Sequence, residues 1–334
     1  MKADATIISY LRKHAGYLAV VVVVMTIPAY LSSSYYLGIL ADMATHCMIL
    51  LGLSLLVGQA GQISLGQAAF VGIGGYGSAI LTTSAGWDPW AAMVVAALVS
   101  ATIAALVGVP TLKLRGYYLA MATLGVNEII YILLVQLKDL TNGTDGISGI
   151  PSLSLGGVDL GTPRAYHLVA WAVALIMLRV ALNLSQSRVG RSLRALRQSE
   201  PAAQSLGVDT AYRKVQVFVV AAVFASLAGS FDAYRVHYIV PERYTITISI
   251  LLITGVIIGG LRSVWGALWG TIVLVLLREV LARVGLEDLQ NLVFGVLLVA
   301  LMLLQGRTQG LWRIIQGWMP ERAGRGVPPG APGK

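Results

Sequence analysis

The sequence predicts an all-α polytopic membrane protein of about ten (eight to ten) transmembrane helices, with both termini cytoplasmic. Three observations lead there. Apolar runs of membrane-spanning length, about 20 residues each, follow one another from residue 17 to residue 305. Charged residues make up only 12% of the chain, against roughly 25% in a soluble domain, and the mean hydropathy is +0.77. Basic residues gather in alternate connections, as orientation by Lys and Arg requires. The net charge of +9 is therefore a topology signal and gives no footing for nucleic-acid binding.

The runs suggest helices near 17–36, 38–57, 64–83, 90–110, 116–138, 167–184, 215–234, 246–261, 264–281 and 289–305. Lys2, Arg12 and Lys13 precede the first. Ser32-Ser33-Ser34 is a weak match to a cleavage site, so this helix reads as retained rather than as a removed signal peptide. With the N-terminus inside, the inner pieces hold Lys113, Arg115, Arg262, Arg307 and the basic stretch 185–214, and the outer pieces carry no such excess. Residues 1–16 are then a cytoplasmic segment and 17–312 the membrane domain, with 185–214 an inner loop and 139–166 an outer one. The Pro/Gly-rich tail 313–334 is predicted to be disordered. Asn142-Gly143-Thr144-Asp145-Gly146 in the outer loop is a dense turn signal that also matches a glycosylation sequon, and turn chemistry is the preferred reading. Single Cys47 excludes an intramolecular disulfide and a cysteine metal site.

Eight glycines fall between Gly52 and Gly77, interleaved with Gln59, Gln62, Ser64 and Gln67. Glycine permits close helix approach and helix breaks. Ser64 and Gln67 fit a capping box, which predicts a helix starting at Ser64. The stretch reads either as a tight packing seam with one capped helix end or as an interrupted helix whose polar break lines a pathway; the two are compatible. Asn127 and Glu128 lie at the middle of the fifth run, where a carboxylate is costly and usually faces the bundle interior or water. Pathway lining or a structural polar lock suits them better than direct substrate binding. Asp42, Asp232, Arg278 and Glu279 read as ordinary interfacial charges, and Arg179 as a snorkelling residue. Gly255-x-x-x-Gly259 and Gly266-x-x-x-Gly270 are helix-packing motifs, for contacts within the chain or with a partner.

The basic loop predicts two short helices. The first runs from about Arg188 to Gln198, with arginines at 188, 191, 194 and 197 in a slowly turning stripe. Pro201 suits the first turn of the second, which Gly207 ends. Ala202, Ala203 and Leu206 give it a small apolar face. The loop is either a solvated basic segment near anionic lipid or, the favoured reading, a docking element for another protein.

Four stretches together resemble the permease subunits of branched-chain amino acid ABC importers, of the LivM type: GLSLLVGQAGQISLGQAAFVGIGGYG, LRGYYLAMATLGVNEII, LTNGTDGISGIP and GRSLRALRQSEPAAQSLGVDTAYRKVQVFVVAAVFASLAGS. The resemblance runs from about residue 48 to residue 312. It implies an importer permease fold in a bacterial inner membrane. It implies a second permease subunit (heterodimer or homodimer), two ABC ATPase subunits that bind ATP and Mg, a solute-binding protein outside, and lipid. No cofactor is expected on this chain. The resemblance also implies that 185–214 carries the element that couples to the ATPase. PAAQSLG at 201–207 is similar to the EAA-x-x-x-Gly element of importer permeases, with Pro201 in place of the first acid and Glu200 one position earlier. Arg197, Glu200, Ala202, Ala203 and Gly207 are thus the coupling candidates. Gln59, Gln62, Ser64, Gln67, Asn127 and Glu128 are the pathway-lining candidates. Wider relatives are associated with urea, short amides and aromatic acids as well.

The chain holds no G-x-x-x-x-G-K-[S/T], so it offers no phosphate cradle for ATP, and an enzyme role is not expected. An ion-coupled secondary transporter of small organic solutes is the alternative. It would need coupling carboxylates, and only Glu128 qualifies at midspan. A membrane enzyme would need clustered acids or histidines, and His14, His46, His167 and His237 are scattered.

Overall fold

The computed structural model describes residues 16–300, apart from 29, 31–32, 113, 115, 156–157, 262, 287–288 and 298. The rest of the predicted N-terminal segment, the tail 313–334 and the end of the 289–305 run lie outside the described residues. Lys113, Arg115 and Arg262 do so too, and with them part of the predicted charge asymmetry.

Helix α1 spans Gly16–Pro28. Helix α2, Ser34–Leu53, continues into a π-helical turn at Ser54–Gln59. Then follow α3 (Gln67–Thr83), α4 (Pro89–Thr111), α5 (Tyr117–Gln136) and the single turn α6 (Lys138–Thr141). The next connection holds β1 (Ile147–Ser148), β2 (Ser154–Leu155) and β3 (Val158–Asp159). Helix α7 is Pro163–Gln186, α8 is Arg188–Gln198, α9 is Glu200–Ser205 and α10 is Thr210–Val236. Strand β4 (Tyr238–Ile239) and a 3₁₀ turn (Pro241–Tyr244) lead to α11 (Ile246–Gly259) and α12 (Gly266–Val284). Residues from Leu292 onward form a second compact unit, helical over 292–297.

Five described helices are long and apolar enough to cross a membrane: Ser34–Gln59, Pro89–Thr111, Tyr117–Gln136, Pro163–Gln186 and Thr210–Val236. Gly16–Pro28 and Ile246–Gly259 are apolar but shorter. The mainly helical class therefore holds, while the count of ten spans rests on more than these five. Two corrections are local. The predicted first run, 17–36, is divided: α1 ends at Pro28 and Ser34–Tyr36 open α2. The all-α reading also misses two antiparallel strand pairs, β1 with β4 (Ile147↔Ile239) and β2 with β3 (Ser154↔Asp159). Strands of two residues show no alternation from which to read them.

Helix α10 is the centre of the first unit and packs on α2, α3 and α4. Its 27 residues measure about 40 Å at 1.5 Å per residue. The α8–α9 loop and the β1–β4 pair therefore lie at opposite ends of the first unit. Glycines set how closely the helices approach. A side chain on Gly74 would overlap the Ser226 carbonyl, and one on Gly229 would overlap that of Val71, so α3 and α10 meet backbone to backbone. Ser78 and Ser230 hydroxyls lie 2.6 Å apart in the same seam. The two glycine motifs of α11 and α12 face each other: Gly259 abuts the Gly266 carbonyl, and Gly270 that of Gly255. Their role is therefore within the chain.

At the β1–β4 end the predicted interfacial charges form a network. The Arg235 guanidinium donates to Asp42 at 2.8 Å and to Asp232 at 3.0 Å, and Arg243 donates to Asp232 at 2.9 Å. Glu279 accepts from the Tyr35 hydroxyl and from Arg283. These bonds join α2 to α10, α10 to the 3₁₀ turn, and α2 to α12.

Gly229→Val tests the backbone contact of α3 and α10. Overpacking a core costs about 1–3 kcal/mol, and here the neighbour is a carbonyl that cannot turn aside. Size-exclusion profiles after heating in detergent should show loss of the folded monomer at a lower temperature. Gly38→Ala, where a Cβ meets nothing within 4 Å, should leave the profile unchanged. A profile for Gly229→Val like that of the parent would refute the close crossing.

Candidate functional site

The break between α2 and α3 is built from the glycine and polar residues of 54–67. At its first end the α-helix widens. Ala60 N donates to Leu55 O at 3.2 Å, and Gln62 N reaches Leu56 O at 3.1 Å. Gly61 then takes φ +66°, which glycine adopts without strain. The chain resumes as a helix at Gln67, with Gly66 as the capping residue and no side-chain cap of its own.

This corrects the predicted start at Ser64. Gln67 does not reach back to close a capping box; its Nε2 donates to the Ala221 carbonyl of α10 at 2.8 Å. Ser64 Oγ accepts only the local Gly66 N–H at 3.3 Å. The orphan donors around this helix start are met from other helices instead. Leu65 N donates to Thr123 Oγ1 at 2.9 Å, Ala68 N to Ser249 Oγ at 3.0 Å, and Ala69 N to Asn127 Oδ1 at 2.8 Å. Asn127 also donates from Nδ2 to Tyr244 O at 3.3 Å and accepts from Ser249 Oγ at 3.3 Å. It is fully buried. Asn127 thus acts as a cap supplied in trans by α5, and Ser249 by α11. The Gln67 Oε1 atom is buried among the described residues without a partner.

Thr123, Ser249 and Tyr244 were not among the candidates from sequence. Single hydroxyls in apolar runs carry no pattern. The one available signal is spacing, since Thr123 and Asn127 are four apart and share a helix face.

The six pathway candidates do not form one cluster. Ser64, Gln67 and Asn127 gather at the start of α3. Gln62 is half-buried and bonds locally, from Nε2 to Ala60 O at 3.3 Å. Gln59 is buried against the basic loop, where its Oε1 accepts from Arg194 at 3.2 Å. Glu128 is half-buried, next to Asn127 in α5, and makes no hydrogen bond or ion pair among the described residues. A carboxylate at midspan costs about 3 kcal/mol on insertion scales.

The loop helices are placed as expected. Helix α8 begins after Ser187, whose hydroxyl caps Gly190 N at 3.3 Å, and buries Leu193 and Leu196. Ser199 caps Ala202 N at 3.4 Å to start α9, and Gly207 follows it with φ +78°. Two arginines of the stripe, although exposed, bond back to the break. Arg197 donates to the Gly58 carbonyl and, at 3.4 Å, to Leu261 O; the stem of Arg197 packs on Gly61. Arg194 adds Ser185 O at 2.6 Å. One guanidinium therefore caps the ends of both the π-turn and α11, where carbonyl dipoles favour a cation. Glu200 pairs with the buried Lys214 at 2.7 Å, and Lys214 also reaches Leu112 O at 3.4 Å at the end of α4.

The predicted small face of α9 is split. Ala203 is 1% exposed and packs inward, whereas Ala202 is exposed and Leu206 is 81% exposed. The inward turn of Ala203 follows from the fold of the loop itself: its N–H bonds Ser199 O and its carbonyl accepts from Val208.

Removal of the Asn127 cap gives a direct test. Asn127→Leu leaves the Ala69 N–H and the Tyr244 carbonyl without partners, each worth about 1–3 kcal/mol when buried. The midpoint of thermal unfolding in detergent should fall clearly, and less for Asn127→Asp, which keeps the acceptor. An unchanged midpoint for Asn127→Leu would mean that α3 is held some other way.

Comparison with known proteins shows the family. The family profile described as branched-chain amino acid transport system / permease component matches residues 35–302. The chain is 33% identical over 297 residues to the high-affinity branched-chain amino acid transport system permease protein LivM of Salmonella typhimurium, covering 81% of this chain and 69% of that one. It is 34% identical to LivM of Escherichia coli K12 over the same shares. More distantly, it is 23% identical to the ribose import permease protein RbsC of E. coli, over 86% of this chain and 90% of that one. No solved structure matches. The match spans the broken helix, α5, the α8–α9 loop and α10 alike, and this chain belongs to the family of permease components of the branched-chain amino acid transport system.

Proposed function

We propose that this transmembrane permease is one subunit of an ATP-driven ABC importer. In this reading it forms part of the pathway for branched-chain amino acids or related small polar solutes. A solute-binding protein delivers them from outside a bacterial inner membrane. A second permease subunit completes the pathway. Two ATPase subunits bind ATP and Mg and dock on the α8–α9 loop. The membrane domain, 17–312, crosses about ten times and leaves the segment 1–16 and the tail 313–334 in the cytoplasm.

One observation carries the coupling part of this reading: the loop helix α8 is bonded directly to the broken helix. Arg197 and Arg194 hold Gly58 and Gln59, so displacement of the loop pulls on the break. The docking surface is then the exposed side of α9, with Leu206 at its centre and Ala202 and Gly207 beside it. Ala203, Glu200 and Arg197 hold that surface from behind. The substrate class is supported by the names of the LivM relatives.

Leu206→Glu tests the docking surface. The residue is 81% exposed, so the permease should fold normally. The ATPase should no longer co-purify, and uptake of leucine should be lost. Arg197→Ala should keep the ATPase bound and yet lower uptake per ATP hydrolysed, because the loop no longer grips the break. Co-purification and uptake at parental levels in Leu206→Glu would refute docking on α9.

Orientation is tested with Ser152→Cys in a Cys47→Ser background. Cys47 is buried. An impermeant thiol reagent should label Cys at 152 from outside intact cells. Labelling only in inverted vesicles would reverse the topology.

A further inference from the structure

We propose that Glu128 is the subsite on this chain for the ammonium group of the transported solute, a primary amine carried on an apolar skeleton. This rests on the permease reading above.

Helix α5 is the span least covered by the rest of the chain, with only 22% of its most apolar window buried. Its rotation is nonetheless fixed. Asn127 is fully buried and bonds Ala69 N, Ser249 Oγ and Tyr244 O, and Thr123, one turn earlier, bonds Leu65 N. These two residues commit one face of α5 to α3 and α11. Successive helix positions differ by about 100°, so Glu128 is turned off that locked face toward the uncovered side.

Three features of that side suit it to a cationic group on an apolar skeleton. First, the carboxylate is half-buried and has no cation among the described residues. The described arginines and Lys214 that form ion pairs or cap carbonyls are at the two ends of the fold, on Asp42, Asp232, Glu279, Gly58 or Glu200. Second, Gly125 lies three positions before Glu128 and so beside it on the same face. A Cβ there meets nothing within 4 Å, which leaves room against the helix backbone. Third, the neighbouring exposed side chains on this face are apolar, Met121 and Ile132. An ionised carboxylate at midspan cannot rest against lipid and marks a pathway or a polar partner. One acid, open space beside it and apolar neighbours complement a cation of small size joined to an aliphatic group. An anion would be repelled, and a sugar would find a single polar group.

The test uses the full-length chain in membranes and a hydrophobic carbodiimide, which modifies carboxyl groups in apolar surroundings. Glu128 should be labelled, as read by peptide mass spectrometry. L-Leucine and 3-methylbutylamine should each protect it, and 3-methylbutanoate should not. With the second permease present, protection should still depend on the added amine. No labelling, equal protection by the carboxylate, or shielding by the second subunit whatever solute is added would each overturn the proposal. The last outcome would assign Glu128 to a cationic group of that subunit.

Glu128→Gln keeps size and hydrogen bonding but loses charge. It should insert and retain the ATPase while leucine uptake falls about tenfold, the size expected for one lost charge-assisted hydrogen bond. Gly125→Val should lower uptake as well by filling the gap, with the same ATPase retention. Parental uptake in Glu128→Gln with the ATPase bound would sink the subsite and leave the importer reading standing. Failure of the parent chain itself to bind any ATPase would sink that reading instead.

Discussion

A helix cannot begin inside an apolar medium unless its first N–H groups find acceptors. That requirement governs the centre of this structure. Helix α3 starts at Gln67, and the donors around its start are met by Thr123 and Asn127 of α5 and by Ser249 of α11. None of these acceptors is local in sequence. The break therefore cannot exist by itself; α5 and α11 must already stand beside it. In turn α3 can reach them only because Gly74 and Gly229 let it lie against α10 at backbone contact. Close packing and polar satisfaction support each other here. Leucine at either glycine would move α3, and every cap would lengthen.

The other end of the break poses the complementary problem, since carbonyls at a helix C-terminus lack donors. Arg197 resolves it for two helices together by donating to Gly58 O of the π-turn and Leu261 O after α11. A π-turn is a strained piece of helix, held in this case by a side chain from α8. The consequence is mechanical. The same segment that exposes Leu206 at the surface holds, within one helix length, the first end of the break and the end of α11.

What could be read from the sequence follows the same division between local and tertiary causes. The bounds of α8, Arg188–Gln198, were legible because the arginine spacing and Pro201 are local signals, and the helix has those bounds. Gly207 was legible as a helix end for the same reason, and its φ is +78°. The glycine motifs at 255–259 and 266–270 announced a close contact but not their partner, which proves to be each other. Ser64 and Gln67 were misread because a capping box is a local rule, and the Ala221 carbonyl outcompetes it for the glutamine. Ala203 was placed on the outer face of α9 by composition alone. A six-residue helix is too short for composition to decide which side is covered. The ion pair of Asp42 with Arg235 links residues 193 apart in sequence, and no spacing rule could have paired them, whereas Asp232 and Arg235 stand three apart on one helix.

Asn127 and Glu128 show how one residue step separates two tasks. Both are polar, both sit at the middle of an apolar helix, and the sequence offers no reason to treat them differently. Burial does. Asn127 finds partners for both polar atoms of its amide within the chain, as acceptor to Ala69 N and Ser249 and as donor to Tyr244 O, so it costs little and adds rigidity. Glu128 is about 100° further round, where the described residues provide no donor. A neutral amide with its bonds made is a structural part; a half-exposed carboxylate without them is a demand on something outside the subunit. The rigidity supplied by the first is what gives the second a defined direction. If α5 could rotate freely, Glu128 would turn toward whatever polar group lay nearest within the bundle. Locked by its neighbour, it faces the side of α5 that the described residues of the first unit leave open.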